Sequence, residues 1–229
     1  MKLRNLVGVV ALGALLASVP ASATWIEVNA GQLTGSADVT TGSGSLNAIE
    51  GRLDYDLDTS TWDIDLYRIS ITNPLGFSAQ TTLVNPGSFM ADPVLFLFSA
   101  DGFGIFLNDD ESNSSLQSLL SGGLFGPTLP GIYYLGIAWS FSDPLSDLGS
   151  IFPLYELGLA TDGVYGPSGT GGAGPLTSWL PGGPSNFDLG SNYRILLTGA
   201  SAAAVVPEPG TALLLAVGAL ALFARRRVR

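Results

Sequence analysis

Two acidic stretches are the part of this sequence best suited to chemistry. The first reads "DYDLDTSTWDID" and carries Asp54, Asp56, Asp58, Asp63 and Asp65. The second reads "NDDESN" and carries Asn108, Asp109, Asp110, Glu111 and Asn113. Hard oxygen ligands at alternate positions of a strand or turn are what Ca²⁺ takes, six to eight of them at about 2.3–2.6 Å. Asp63 and Asp65 lead into a predicted strand, and Asn108, Asp109 and Asp110 end another. If those ends meet, a cation or Arg68 would have to neutralise them. The first stretch lacks the central Gly and the terminal Glu of an EF-hand loop, so that motif is rejected. The competing reading is that Asp and Asn cap turns and decorate a solvated surface. Both readings stay open on the sequence, with calcium the one cofactor these residues would accept and none required.

Other chemistry is largely excluded. The 229 residues contain no Cys and no His, which removes thiol nucleophiles, disulfides, Ser-His-Asp triads and the usual zinc sites. Lys2 is the only lysine. Paired carboxylates suit a glycosidase when they face each other about 5–9 Å apart across a sugar cleft, but no acidic pair here is marked as buried. The chain is therefore read as a non-enzyme, with a secreted hydrolase as the weakest alternative. Between Thr24 and Ala204 only Arg52, Arg68 and Arg194 face 18 of the 19 acidic residues. That field repels phosphate backbones and argues against a nucleic-acid partner. Aromatic residues offer sugar stacking. Trp62 and Trp139 sit in strand-like runs and read as core, whereas Trp179 lies in a Gly/Pro-rich stretch and is the expected exposed ligand-binding ring.

The elements that position these residues read as strands. Gly (30) and Pro (14) are abundant, and charged residues are only 12%, a composition that favours short strands and many turns. Asp65–Thr72 alternates with Tyr67, Ile69 and Ile71 on one face. Phe77–Leu83 alternates likewise, with Phe77, Ala79, Thr81 and Leu83 on one face. Pro93–Ser99 is apolar on both faces and predicts a central strand. Gly131–Ser140 and Asn192–Ala200 are further candidates, as are Leu46–Leu57 and the first residues after Thr24. Asn-Pro, Asp-Gly and Asp-Pro pairs punctuate the runs. The expected fold class is all-β, an antiparallel jelly-roll-like β-sandwich over 24–200. Residues 166–186 predict a long surface loop without a strand, pinned by Leu176, Trp179 and Leu180. Residues 201–205 predict a linker.

Both ends read as addresses. Lys2 and Arg4 precede an apolar stretch from Leu6 to Val19, and Ala21-Ser22-Ala23 is a small-residue cleavage site. Residues 1–23 thus predict a secretory signal peptide, helical in its apolar part and cleaved after Ala23. At the other end, Pro207-Glu208-Pro209 precedes an apolar run, 210–224, and an arginine cluster, 225–229. As a helix that run covers roughly 22 Å against a hydrocarbon core of about 30 Å, a marginal transmembrane span extended by its flanks. The arginines place its end on the cytoplasmic side. The prolines make a stiff, non-helical segment at the membrane surface.

This three-part tail, 206–229, resembles the PEP-CTERM sorting signal of Gram-negative bacteria. The resemblance implies handling by exosortase and the secretion machinery. It also implies transient residence in the inner membrane through the C-terminal helix, then the cell surface or the extracellular matrix after processing. Bearers of the signal accompany exopolysaccharide and biofilm production, so extracellular polysaccharide is an implied partner. In the body, "DIDLYRISIT", "FSAQTT", "DPVLFLFSADGFGIFLNDDES" and "LPGIYYLGIA" resemble bacterial pre-peptidase C-terminal domains over about residues 54–138. That resemblance implies a non-catalytic β-sandwich, some relatives of which bind calcium through acidic loops. The expected role is structural or adhesive, with a polysaccharide- or calcium-binding module as the alternative.

Overall fold

The computed structural model describes residues 23–83, 92–123, 125–153, 163–182 and 191–205. Among them the only helical element is a single 3₁₀ turn, Pro74–Gly76. Everything else regular is strand. Ala21, the apolar segments at both ends and the Pro207-Glu208-Pro209 motif lie outside the described residues. No helix among the described residues is long and apolar enough to cross a membrane.

Two sheets carry the body. One has the order Ala23–Ile26, Leu46–Leu53, Ser191–Thr198, Ser78–Thr82, Leu119–Ser121. The first pair is parallel and the others antiparallel. The second has the order Val164–Tyr165, Gly104–Asn108, Pro93–Ser99, Gly131–Trp139, Asp65–Ile71, Ala200–Ala202. The short strand Asp38–Val39 shares the outer edge of Asp65–Ile71 with Ala200–Ala202.

The period-two alternation explains how the sheets share a core. Tyr67, Ile69 and Ile71 of the second sheet and Leu46, Ile49, Tyr193, Ile195 and Leu197 of the first belong to one buried cluster. Pro93–Ser99 sends Leu95 and Leu97 into that cluster. Its alternate residues Val94, Phe96 and Phe98 enter a second cluster on the opposite face. The strand is buried on both faces, as its unbroken apolar run predicts. Phe77, Ala79 and Thr81 are buried as the alternation requires, but Leu83, one step past the last paired residue, is exposed.

The second cluster corrects the expectation of a plain surface loop at 166–186. Ile151, Phe152 and Leu176 close over Phe96 and Phe98, with Trp179 packed against them. Ser178–Leu180 is itself a strand, paired with Asp143–Ser146, which pairs in turn with Gly149–Ser150. The glycines here serve close approach. A Cβ on Gly171 would lie 1.9 Å from the carbonyl oxygen of Gly149, so only a residue without one fits. Leu176 and Trp179 pin the segment as expected, while Leu180 points to solvent.

The expected linker 201–205 is also paired. Ser201 and Ala202 belong to the edge strand Ala200–Ala202, and Ala204–Val205 runs parallel to Thr41–Gly42. Buried Thr40 anchors the segment. Its hydroxyl donates to Arg68 O (2.8 Å) and accepts from Ala203 N–H (3.0 Å). An alanine run carries no alternation to read. What makes it a strand is the row of unpaired edge groups it meets. At the other end, Ala23 is already in a strand, its N–H donating to Ser45 O at 3.0 Å.

Candidate functional site

The two predicted calcium ends do not converge. In register, Asp65 stands opposite Ile137, Ile137 opposite Leu95, and Leu95 opposite Asn108. The two positions share a level of one sheet but lie three strand spacings apart, about 14 Å. Among the described residues, no three acidic side chains gather closely enough to hold a metal ion. Asn108 instead brackets the chain. Its amide donates to Asp110 O (2.8 Å) and Gly163 O (2.6 Å), and its Oδ1 accepts from Leu119 N–H (2.6 Å). Asp109 Oδ2 accepts from Ser140 Oγ at 3.1 Å, and its carbonyl accepts from Ser118 Oγ at 2.8 Å. Asp110 is buried beside them and contributes its charge to raising Asp92 to about 6, after the larger effect of burial.

The other end of that row holds a different arrangement. Asp65 is fully buried and faces the core, where the Tyr193 hydroxyl of the opposite sheet donates to its Oδ2. The Tyr67 and Tyr193 hydroxyls hydrogen-bond in turn. Asp65 Oδ1 has no hydrogen-bond partner among the described residues. Burial pushes its carboxyl up to about 9, opposed by the Tyr193 bond and aided by the charges of Glu27, Asp63 and Asp38. At neutral pH it is therefore an uncharged acid. Burial raises both tyrosines as well, and the Asp65 charge adds to each.

Gly51 makes this arrangement fit. It stands opposite Tyr193 in register. A Cβ there would lie 2.3 Å from the Tyr193 hydroxyl oxygen and 2.5 Å from Glu27 Oε2. Glu27 Oε2 also accepts from Arg52 N–H at 2.8 Å. Burial raises the Glu27 carboxyl, partly offset by that bond, with Asp63 and Asp38 adding. Glu27, Gly51 and Tyr193 line a shallow cleft of about 390 Å³.

A second cleft, about 410 Å³, opens beside the Tyr55–Asp56 and Thr61–Trp62 hairpin. Tyr55 and Trp62 form one wall, their ring centroids 5.0 Å apart. Trp62 rests in turn on Trp139 at 5.1 Å and is buried, as both tryptophans were expected to be. Asp54, Asp56, Asp63, Gln32, Thr59 and Thr61 complete its lining; Asp56 and Thr61 stand opposite each other one residue along from the Tyr55–Trp62 pair and so project to the other face of the hairpin. Asp54 pairs with Arg52 Nε at 2.6 Å. Asp56 Oδ1 accepts from Asp58 N–H at 2.8 Å and closes the turn. Asp63 is half-buried, and burial raises its carboxyl; the Ile64 N–H and Gln32 oppose the rise, while the Asp54 charge adds to it.

Trp179 is half-buried, where the sequence suggested an exposed ring. Its indole N–H donates to Gln32 O at 2.7 Å, and its ring meets Phe96 and Phe98 at 5.1 and 6.1 Å, nearly edge-on. Tyr55, which sequence reasoning passed over, lines a cleft together with Trp62. The one signal for it was an aromatic residue alternating with aspartates ahead of a turn. The pairing of Tyr193 with Asp65 had no local signal, because 128 residues separate them.

Residues 205–227 match the family model described as the PEP-CTERM protein-sorting motif. The match covers the tail and not the body, so the pre-peptidase resemblance of the body has no family match behind it. No curated protein and no solved structure matches the chain.

Proposed function

We propose that this chain is exported and handled by an exosortase at the membrane. It then reaches the cell surface or extracellular matrix as a non-catalytic structural or adhesive body. The observation that carries this reading is the sorting motif at 205–227, which starts where the last paired strand, Ala204–Val205, ends. In sequence, the tail follows directly on the last paired strand, with Pro207-Glu208-Pro209 beginning two residues after Val205. The signal peptide at 1–23, the marginal span at 210–224 and the jelly-roll-like connectivity belong to the same reading. Two facing sheets of mostly antiparallel strands support the last.

The absence of His and Cys supports a body without catalysis. Association with extracellular polysaccharide and biofilm is part of the proposal through the kind of protein that bears this tail. Cell fractionation tests it. Replacing Pro207, Glu208 and Pro209 by alanine should leave the protein in the inner membrane, while the unaltered chain reaches the surface or medium. Equal distribution of both would overturn it.

A further inference from the structure

Both termini of the described body lie toward the same end of the two-sheet core. Tyr193 and Asp65 mark the opposite end, where the strands Ser191–Thr198 and Asp65–Ile71 begin. Thr198 and Ile71 mark this end, because Gly199 joins Thr198 to Ala200 and Ala200 stands opposite Ile71. Ala23 pairs here with Leu46, and its N–H donates to Ser45 O at 3.0 Å. Ser45 also bridges Ser201. Ala204–Val205 runs parallel to Thr41–Gly42, so the chain leaves the body in the direction that leads to Ser45. Only four residues, 206–209, then separate the last paired strand from the apolar run at 210–224. Fully extended, four residues span at most about 14 Å. With the run in a bilayer, this end of the body is held close to the lipid surface.

The side chains at this end suit that position. Leu75 is 95% exposed in the 3₁₀ turn Pro74–Gly76, and Leu129 is 69% exposed two residues before Gly131. Gly131 stands opposite Ile71, so both leucines flank the same strand end. Each is on a fixed backbone. Asn73 N–H donates to Gly199 O (3.1 Å) and Thr198 Oγ1 to Gly76 O (2.7 Å), while the Tyr133 hydroxyl donates to Leu129 O (2.7 Å). Apolar side chains held this way enter the headgroup–acyl boundary with little ordering cost. Ser43, Gly44 and Ser45, beside the departing chain, are uncharged. Both acidic stretches and Asp92 lie toward the other end, where Asp65, Ile137, Leu95 and Asn108 align. Among the described residues, Asp101, two residues after Ser99, and Asp147, beside Ser146 that meets Gly174, are the acidic groups placed toward this end. An anionic leaflet therefore repels the far end more strongly than this one. We propose that the tethered body docks this end on a phospholipid surface through Leu75 and Leu129. The inference rests on the membrane handling proposed above for the presence of the bilayer.

The test is fluorescence of the full chain in vesicles of phosphatidylethanolamine and phosphatidylglycerol with brominated acyl chains. The chain has no cysteine, so Leu75→Cys, Leu129→Cys, Leu57→Cys and Leu83→Cys each take one bimane label. All four leucines are exposed, and Leu57 and Leu83 lie toward the acidic end. A melting temperature within a few degrees of the parent shows that each variant is folded. Bromine quenches only at short range, so a label merely near the headgroups keeps its emission. Quenching should be at least twofold stronger at Leu75 and Leu129 than at Leu57 and Leu83. Equal quenching at the two ends, in a chain that floats with the vesicles, overturns the docking and leaves the membrane reading standing. A chain that does not float with the vesicles overturns both.

Discussion

The Tyr193 hydroxyl donates to buried Asp65 across the two sheets, joining the strand Ser191–Thr198 to the strand Asp65–Ile71 at one end of the core. Both residues are buried, so the bond sits where water does not compete. Its cost is a carboxyl that must stay protonated.

That cost sets a pH dependence. An acid whose pKa is raised to about 9 in the folded protein binds its proton more tightly there than when unfolded. Its contribution is full below the unfolded value near 4 and declines as pH rises toward 9, by about 1.4 kcal/mol per unit. Asp65→Asn keeps the acceptor for Tyr193 and removes the titration. Urea melts between pH 5 and 9 should show the variant gaining on the parent by several kcal/mol as pH rises. Parallel pH profiles would contradict a buried, neutral Asp65.

Gly51 is required by the same group. Gly51→Ala places a methyl group against the Tyr193 hydroxyl and Glu27 and should cost about 1–3 kcal/mol. Tyr193→Phe removes the oxygen that the methyl meets. The double variant should therefore lose less than the sum of the single changes, a coupling read directly from a double-mutant cycle.

The second core predicts what its aromatic residues contribute. Phe96→Ala empties a site between Phe98, Phe152 and Trp179 and should cost about 3–5 kcal/mol. Leu180→Ser, on an exposed side chain of the same region, should change stability by no more than about 0.5 kcal/mol. Thermal or denaturant melts distinguish a packed second layer from a loose insertion, for which the two changes would be alike.

The paired tail-proximal segment predicts its own signature. Thr40→Ala removes the acceptor for the Ala203 N–H and the donor to Arg68 O, at about 1–2 kcal/mol. Hydrogen exchange should quicken at Ala203 and Ala204 while Leu97, on the central strand of the second sheet, stays protected. An unprotected Ala203 in the unaltered protein would return the segment to a linker.

Much of the strand inventory is legible in the sequence because alternation reports which face is buried. Tyr67, Ile69 and Ile71 share the core face as their spacing implies, and Pro93–Ser99 is central because both its faces are apolar. What alternation does not report is which strand lies beside which. The calcium reading depends on the strand start at Asp63 and Asp65 lying beside the strand end at Asn108–Asp110, and two intervening strands separate them. The covering segment around Trp179 was hidden by its glycines, which read as turn formers but here allow close backbone contact. The tail was legible outright, since Pro-Glu-Pro, apolar run and arginines act in order along the chain rather than through the fold.

Mass spectrometry of the natural protein, from cells with and without an active exosortase, tests the central claim most directly. The account predicts that the exported form begins at Thr24 and lacks Arg225–Arg229, and that the arginines persist when the enzyme is removed. A surface or secreted form that keeps its carboxyl-terminal arginines in the presence of the enzyme would contradict it.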